Sequence, residues 1–310
     1  MRILITGVCG FIGSHLAERF LREGNEVFGI DNFLTGKKEN LEILLKYKSF
    51  SFEKNSVENF KKNEKFDLII HLASCASPKD YLKYPLETMS ANSIGTWNLL
   101  EISKEVNARF LYGSTSEVYG DPLENPQKEE YYGNVNPVGE RSVYDESKRF
   151  GEALCMAYYR KFKLDVRIVR IFNTYGPRMK MDDGRVIPNF ITQALRNEDL
   201  TIYGDGNQTR SFCYVDDLIE GIYRFSLKEN VKERIINLGN PNEIRIIDLA
   251  SMILKLTNSK SKLKFLPIHP DDPKRRCPDT QKAKIEINWE PKVNLREGLL
   301  KTIEYFKNIL

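Results

Sequence analysis

The stretch RILITGVCGFIGSHL, residues 2–16, decides the fold. RILIT (2–6) is a β-prone apolar run and reads as a buried strand. It stops at Gly7, and Gly10 and Gly13 follow at three-residue spacing. Next comes HLAERFLREG (15–24), a helical pattern closed by Gly24, and then EVFGID (26–31), a second β-prone run. Strand, glycine turn, helix and strand in that order make a βαβ unit, whose two strands lie parallel in one sheet.

Working outward, the alternation continues. FDLIIHLA (66–73), RFLYGS (109–114) and DVRIVRIF (165–172) read as further strands. SIGTWNLLEISKEV (93–106) and YDESKRFGEALCMAYYRKF (144–162) read as helices between them. The expected fold class is α/β, a doubly wound parallel Rossmann sheet with helices on both faces. After NTYGP (173–177) the pattern loosens into loops, short strands and a few helices. The last helix, within 295–310, carries Leu295, Leu299, Ile303 and Phe306 at helical spacing, a core stripe. We therefore expect a nucleotide-binding Rossmann domain over 1–172, rejoined by a segment near 211–238. A smaller, mainly substrate-binding α/β lobe is expected over 173–310, with the ligand crevice at the strand ends between them.

The glycines permit a tight turn and a close approach of backbone to a pyrophosphate, which the N–H groups of the helix start stabilise. Asp31 ends the second strand. A carboxylate there accepts the ribose hydroxyls of adenosine and repels a 2′-phosphate, so NAD is expected rather than NADP.

Composition narrows the class. The chain has 310 residues, 41% of them hydrophobic, enough for a substantial core. Lys and Arg number 47 against 43 Asp and Glu, a net +4 too mild and too mixed for a nucleic-acid groove. Cys9, Cys75, Cys155, Cys213 and Cys277 show no C-x-x-C spacing and read as free thiols of a reducing compartment. His15, His71 and His269 form no metal-binding arrangement, so no metal is expected. The apolar start is broken by three glycines and lacks a cleavage site, and no run of 18 apolar residues occurs. A soluble, cytoplasmic protein without membrane contact is the expectation.

LYGSTSEVYGDP (111–122) begins as a strand, so Ser114, Thr115, Ser116 and Glu117 fall at its carboxyl end, where ligands of such sheets bind. Tyr144 opens a helix and Lys148 follows one turn later on the same face. Taken alone, that pair also fits two amphipathic side chains on a surface helix. A tyrosine, with an ordinary pKa near 10, is a poor base at neutral pH. A Lys148 ammonium and an oxidised nicotinamide ring favour the phenolate. Tyr144 then takes a proton from a sugar hydroxyl as hydride leaves the carbon, and Thr115 holds the same oxygen.

The motifs GVCGFIG, DNFLTG, HLAS, STSEVYGDP, NPVGERSVYDESKR, RIFNTYGPRM, DGRVIPNF, GDGNQTRSFCYVDDL, NLGNP and RRCPD run in order through the chain. Together they resemble an extended short-chain dehydrogenase/reductase acting on nucleotide sugars, most nearly the UDP-glucuronate decarboxylase (UDP-xylose synthase) subfamily. The resemblance implies NAD contacts at Gly7, Gly10, Phe11, Ile12, Gly13, Asp31, Asn32, Leu72, Ala73, Tyr144 and Lys148. It implies Thr115, Glu117, Tyr144 and Lys148 as the catalytic group. Nucleotide-sugar contacts come from Asn173, Arg185, Val186, Asn189, Tyr203, Arg210 and Arg276, arginines suiting phosphate and carboxylate oxygens. Ser147 stands where the decarboxylases usually have glycine, and Glu140 where they have proline. NSV (55–57) stands where many relatives have an aspartate that contacts adenine, so Ser56 is expected to make that contact more weakly. These departures leave the cofactor chemistry intact and bear on sugar specificity.

The family oxidises the sugar at C4 first, and the second step differs. A C6 carboxylate is lost as CO₂, a C6 hydroxyl leaves as water in a 4,6-dehydratase, or the ketone turns over in a 4-epimerase. Glu117 counts against simple epimerisation, and Ser116 is a weaker acid than the aspartate many dehydratases carry there. Decarboxylation of UDP-glucuronate leads, dehydration is the alternative, and a non-catalytic NAD-binding regulator is the alternative of another class. The resemblance also implies a homodimer through two helices per subunit. On this reading Trp97, Leu100, Leu154, Ala157 and Tyr158 face the partner, or else the subunit's own sheet.

Overall fold

Apolar runs that alternate in direction across a strand must be covered on both faces, and the computed structural model does this with two helical layers. It describes residues 1–61, 64–267 and 275–310; His269 lies outside them. The chain begins β1 (Arg2–Thr6), α1 (Phe11–Arg22), β2 (Glu26–Asp31), α2 (Lys38–Leu44), β3 (Phe50–Lys54) and β4 (Leu68–His71). Then come α3 (Pro78–Lys83), α4 (Pro85–Ser90), a π-helical turn at Ala91–Gly95, α5 (Thr96–Val106) and β5 (Arg109–Thr115). A 3₁₀ turn at Ser116–Tyr119 leads by a long loop to α6 (Ser142–Phe162), β6 (Val166–Ile171) and β7 (Thr174–Tyr175).

The remainder runs α7 (Val186–Leu195), β8 (Leu200–Tyr203), β9 (Thr209–Ser211), β10 (Cys213–Tyr214), α8 (Val215–Leu227) and β11 (Ile235–Leu238). It ends with β12 (Glu243–Arg245), α9 (Ile246–Thr257), β13 (Leu263–Leu266), β14 (Arg275–Arg276), α10 (Gln281–Ile287) and α11 (Leu295–Lys307).

Seven parallel strands form the main sheet in the order β11-β6-β5-β4-β1-β2-β3. Strand period sets which layer each residue meets. Ile3, Ile5 and Leu111 join the core under α1 and α8, whereas Leu4, Phe110 and Tyr112 join the core under α5 and α6. The small sheets β12-β9-β14 and β13-β8, with α7, α9 and α11, stand at the carboxyl ends of the strands. Leu299, Ile303 and Phe306 of α11 are buried as their spacing requires, and Leu295 is half-buried.

Several boundaries differ from the sequence reading. α1 starts at Phe11 because Gly10 is already its extended N-cap. The helix read over 93–106 is the π-helical turn followed by α5. β3 and α2 escaped the reading. FSFEK is short and only half-covered at the sheet edge, so its apolar signal is weak. Leu100 and Tyr158 are buried in the subunit's own core and do not face outward, while Trp97 is 53% exposed and Ala157 is exposed.

Candidate active site

A cavity of about 1160 Å³ opens at the carboxyl ends of the main strands, between the sheet and the small lobe. Its floor is the glycine turn. Gly7 has φ +68°, and a β-carbon there would lie 2.9 Å from the Ala73 backbone. A β-carbon on Gly13 would lie 2.1 Å from the Gly7 carbonyl oxygen, so this close crossing of α1 and the turn admits only glycine. The first turn of α1 holds no acidic residue and Gly10 provides no side-chain cap, which leaves the helix start suited to an anion. Gly13→Ala should cost about 1–3 kcal/mol of stability and weaken NAD binding, read by thermal unfolding with and without NAD; unchanged binding would contradict this cradle.

Asp31 ends β2 beside the turn. Its Oδ2 accepts from the Cys9 N–H at 2.9 Å and its Oδ1 from the Phe33 N–H at 2.8 Å. Burial raises its pKa against those two bonds. Each oxygen keeps a lone pair for a ribose hydroxyl. Leu72 and Ala73 follow β4, and both N–H groups donate to Thr6 Oγ1, which also meets His71 Nδ1 at 2.8 Å. Gly7, Gly10, Phe11, Ile12, Gly13, Asp31, Asn32, Leu72, Ala73 and Ser56 all line the cavity. The glycine crossing, the uncapped helix start and the carboxylate fit a dinucleotide.

The other end is built on β5 and α6. Thr115 ends β5 and accepts the Glu117 N–H at 3.2 Å, starting the 3₁₀ turn. Tyr144 and Lys148, one turn apart on α6, are both buried. Lys148 Nζ donates to the Gly113 carbonyl at 2.8 Å and lies 5.9 Å from the Tyr144 ring centre. The sequence reading gave Lys148 a full charge that draws Tyr144 toward phenolate. Here burial pushes Lys148 down to about 7 and the phenol well up, with the Thr115 hydroxyl pulling the phenol back. Desolvation outweighs the lysine in the protein alone.

Glu117 is clamped from two sides. Arg276 Nη1 reaches Oε1 at 2.5 Å and its Nη2 reaches Oε2 at 3.0 Å, while Arg141 Nη2 reaches Oε2 at 2.5 Å. Burial opposes ionisation, but the Arg276 and Arg141 guanidiniums override it and hold the carboxyl well below its usual range. Such a carboxylate is a weak proton acceptor at neutral pH and a good anchor for an arginine. Tyr81 stacks on Tyr144 with ring centres 5.2 Å apart and planes at 6°.

Neither Arg141 nor Tyr81 was assigned from sequence. Arg141 lies three residues before Tyr144, one helical turn back, and that spacing was the available signal. Tyr81 had none, because its partner is distant in the chain.

Asn173, Arg185, Val186, Asn189, Tyr203, Arg210 and Arg276 come from β6–β7, α7, β8, β9 and β14 and line the same cavity. The Asn173 carbonyl accepts the Cys213 N–H at 2.8 Å. Arg185 forks Asp183 at 2.5 and 2.8 Å at the start of α7. The backbone from 177 to 182 runs back over α1, the start of α2 and α3. His15 Nε2 donates to Pro177 O at 3.0 Å, Lys37 Nζ to Met179 O at 3.1 Å, and Lys79 pairs with Asp182 at 2.9 Å.

Comparison with known proteins agrees with this geometry. The chain is 51% identical over 308 residues to UDP-glucuronic acid decarboxylase 1 of Arabidopsis thaliana, covering 99% of this chain and 70% of that protein. It is 50% identical over 309 residues to UDP-glucuronic acid decarboxylase 1 of Danio rerio, covering 100% and 73%. The crystal structure of UDP-glucuronic acid 4-epimerase from Bacillus cereus, in complex with UDP-glucuronic acid and NAD, superposes with a TM-score of 0.87. It is 31% identical, and the match covers 100% of both chains. Residues 3–239 match the family model described as the NAD dependent epimerase/dehydratase family. By fold, cavity and sequence alike, the chain belongs to the NAD dependent epimerase/dehydratase family.

Proposed function

We propose that this chain is an NAD-dependent decarboxylase that converts UDP-glucuronate to UDP-xylose and CO₂. Relatives bearing the decarboxylase name are about half identical across nearly the whole chain. The structural observation that carries the reading is Arg276. Its buried guanidinium lines the cavity and forks Glu117, whose charge the Tyr144 phenol feels. A carboxylate-binding fork therefore stands beside the group that handles the C4 hydroxyl.

On this reading, Gly7, Gly10, Gly13, Asp31, Leu72 and Ala73 hold the cofactor, and the 173–210 set with Arg276 holds the nucleotide sugar. When bound, NAD⁺ supplies the acceptor for the C4 hydride, and its positive ring favours the Tyr144 phenolate. Tyr144 takes the C4 hydroxyl proton, oriented by Thr115. The C4 ketone leaves the C6 carboxylate on a β-keto acid. The C5–C6 bond breaks, CO₂ departs, and the electron pair moves through C5 to the C4 oxygen, where Tyr144 and Thr115 hydrogen-bond the enolate. C5 would take a proton from solvent water, and as bound reduced cofactor restored the C4 hydrogen Tyr144 would return its own proton to the C4 oxygen, still oriented by Thr115. Glu117 keeps Arg276 aimed. Incubation with UDP-glucuronate, read by product mass, tests this: loss of CO₂ supports it, and loss of water or unchanged mass overturns it.

We infer a homodimer from Ile94 (61% exposed), Trp97 (53%) and Phe150 (46%), exposed apolar residues of the π-helical turn, α5 and α6. Light scattering should give twice the chain mass, and Trp97→Glu with Phe150→Glu should halve it. A wild-type monomer at micromolar concentration would defeat the dimer. The buried free cysteines fit a reducing, cytoplasmic setting, and no helix among the described residues is long and apolar enough to cross a membrane.

A further inference from the structure

Arg276 sits on a strand of only two residues, β14, held on one side by β9. Its other support is Gln127, which is wholly buried in the loop between the 3₁₀ turn and α6. Gln127 takes both polar groups of the residue after Arg276. Its N–H donates to the Cys277 carbonyl at 2.8 Å, and its side-chain Oε1 accepts the Cys277 N–H at 2.8 Å. The Gln127 carbonyl accepts Asn237 Nδ2 at 3.0 Å, and Asn237 Oδ1 accepts the Tyr119 hydroxyl at 2.8 Å. Tyr119 belongs to the 3₁₀ turn that carries Glu117, and Glu117 accepts from Arg276. The bonds thus close a ring: Glu117, Arg276, Cys277, Gln127, Asn237, Tyr119 and back along the chain to Glu117.

A ring of this kind fixes the distance between its members. The backbone bonds from Gln127 persist with any residue except proline at that position, but the acceptor for the Cys277 N–H is the side chain's own. We propose that Gln127 is a positioning residue for the carbon–carbon bond cleavage step: its side-chain oxygen seats Cys277, and so aims Arg276 at the substrate carboxylate. Tyr144, Thr115 and Lys148 lie on β5 and α6 and keep their own supports, so the hydride step does not depend on it. This inference rests on the decarboxylase reading.

Gln127→Met, of similar size and without the amide acceptor, separates the two steps in the NAD-loaded enzyme mixed with UDP-glucuronate. CO₂ release should fall by about 10-fold or more, since small misplacements at a reacting centre cost that much. The near-ultraviolet absorbance of reduced cofactor should still rise at a rate within about threefold of wild type and then persist. In an Arg276→Ala background, adding Gln127→Met should change CO₂ release by less than about twofold, because the two act through one group. Equal loss of both steps, no loss, or full additivity with Arg276→Ala would overturn the assignment. If the Met variant does not fold, Tyr119→Phe cuts the same ring at the Asn237 bond, and Arg170, which also donates to that hydroxyl, keeps Glu152 and the Glu129 carbonyl. The Tyr119→Phe variant should show the same partition, and an equal fall in both steps would overturn the proposal. Wild-type enzyme that releases no CO₂ would instead sink the decarboxylase reading itself.

Discussion

Tyr144→Phe should lower formation of reduced cofactor on UDP-glucuronate by about 10²-fold or more. The variant keeps the ring, its burial and its stacking on Tyr81, so folding and NAD binding should be unchanged. What it removes is the α6 oxygen that hydrogen-bonds Thr115 and that, on the proposed reading, takes the C4 hydroxyl proton. Glu117→Gln is the informative contrast. It leaves Tyr144, Thr115 and Lys148 in place but replaces a doubly clamped carboxylate by a neutral amide that forks Arg276 poorly. Cofactor reduction should begin, CO₂ release should slow, and reduced cofactor should accumulate. Stopped-flow absorbance and CO₂ capture on the two variants decide the matter: equal accumulation in both would reverse the assigned roles.

Arg170→Met should destabilise the fold by about 3–5 kcal/mol, the usual cost of leaving one partner of a buried ion pair. Arg170 meets Glu152 through Nε at 2.9 Å and Nη2 at 2.7 Å, and both residues are 8% exposed. Glu152 keeps only the Ser114 hydroxyl at 2.6 Å as a described side-chain partner. The pair joins α6, β5 and β6 directly below Thr115 and Lys148. Arg245→Met is the control. Its pair with Asp248, both about half exposed, is screened by solvent and should leave the urea midpoint almost unmoved when broken. Urea unfolding of the two variants measures the difference, and comparable midpoints would refute it. Adding Glu152→Leu to Arg170→Met should restore part of the loss, because the stranded charge is then gone.

What could be read from the sequence was what is local along the chain. The glycine spacing, the strand that precedes it and Asp31 lie within one βαβ unit, so their geometry follows from turn and period. Tyr144 and Lys148 lie one helical turn apart and needed only the helix. The predicted residues of cofactor and sugar meet in one cavity because the strand ends put them there. The clamp on Glu117 was not legible. Arg141 reaches it from 24 residues along the chain and Arg276 from 159, and their charges suited any surface helix or strand. Lys148 shows the other limit, since its titration depends on how deeply α6 is buried, which spacing does not reveal. The same holds for Leu100 and Trp97, three residues apart on α5 yet one buried and the other exposed.

The position of β11 has a consequence for how the chain is made. Among the described residues, the outer edge of β6 is closed by Ile235–Leu238, paired from Ile168 to Ile171. During synthesis the sheet therefore waits, with one buried-type strand unpaired along its outer side, until residue 238 has left the ribosome. An open apolar edge of this kind recruits other strands. A nascent chain stalled or truncated between 172 and 235 should aggregate or be held by chaperones, and the protein should gain protease resistance in one step once β11 is free to dock.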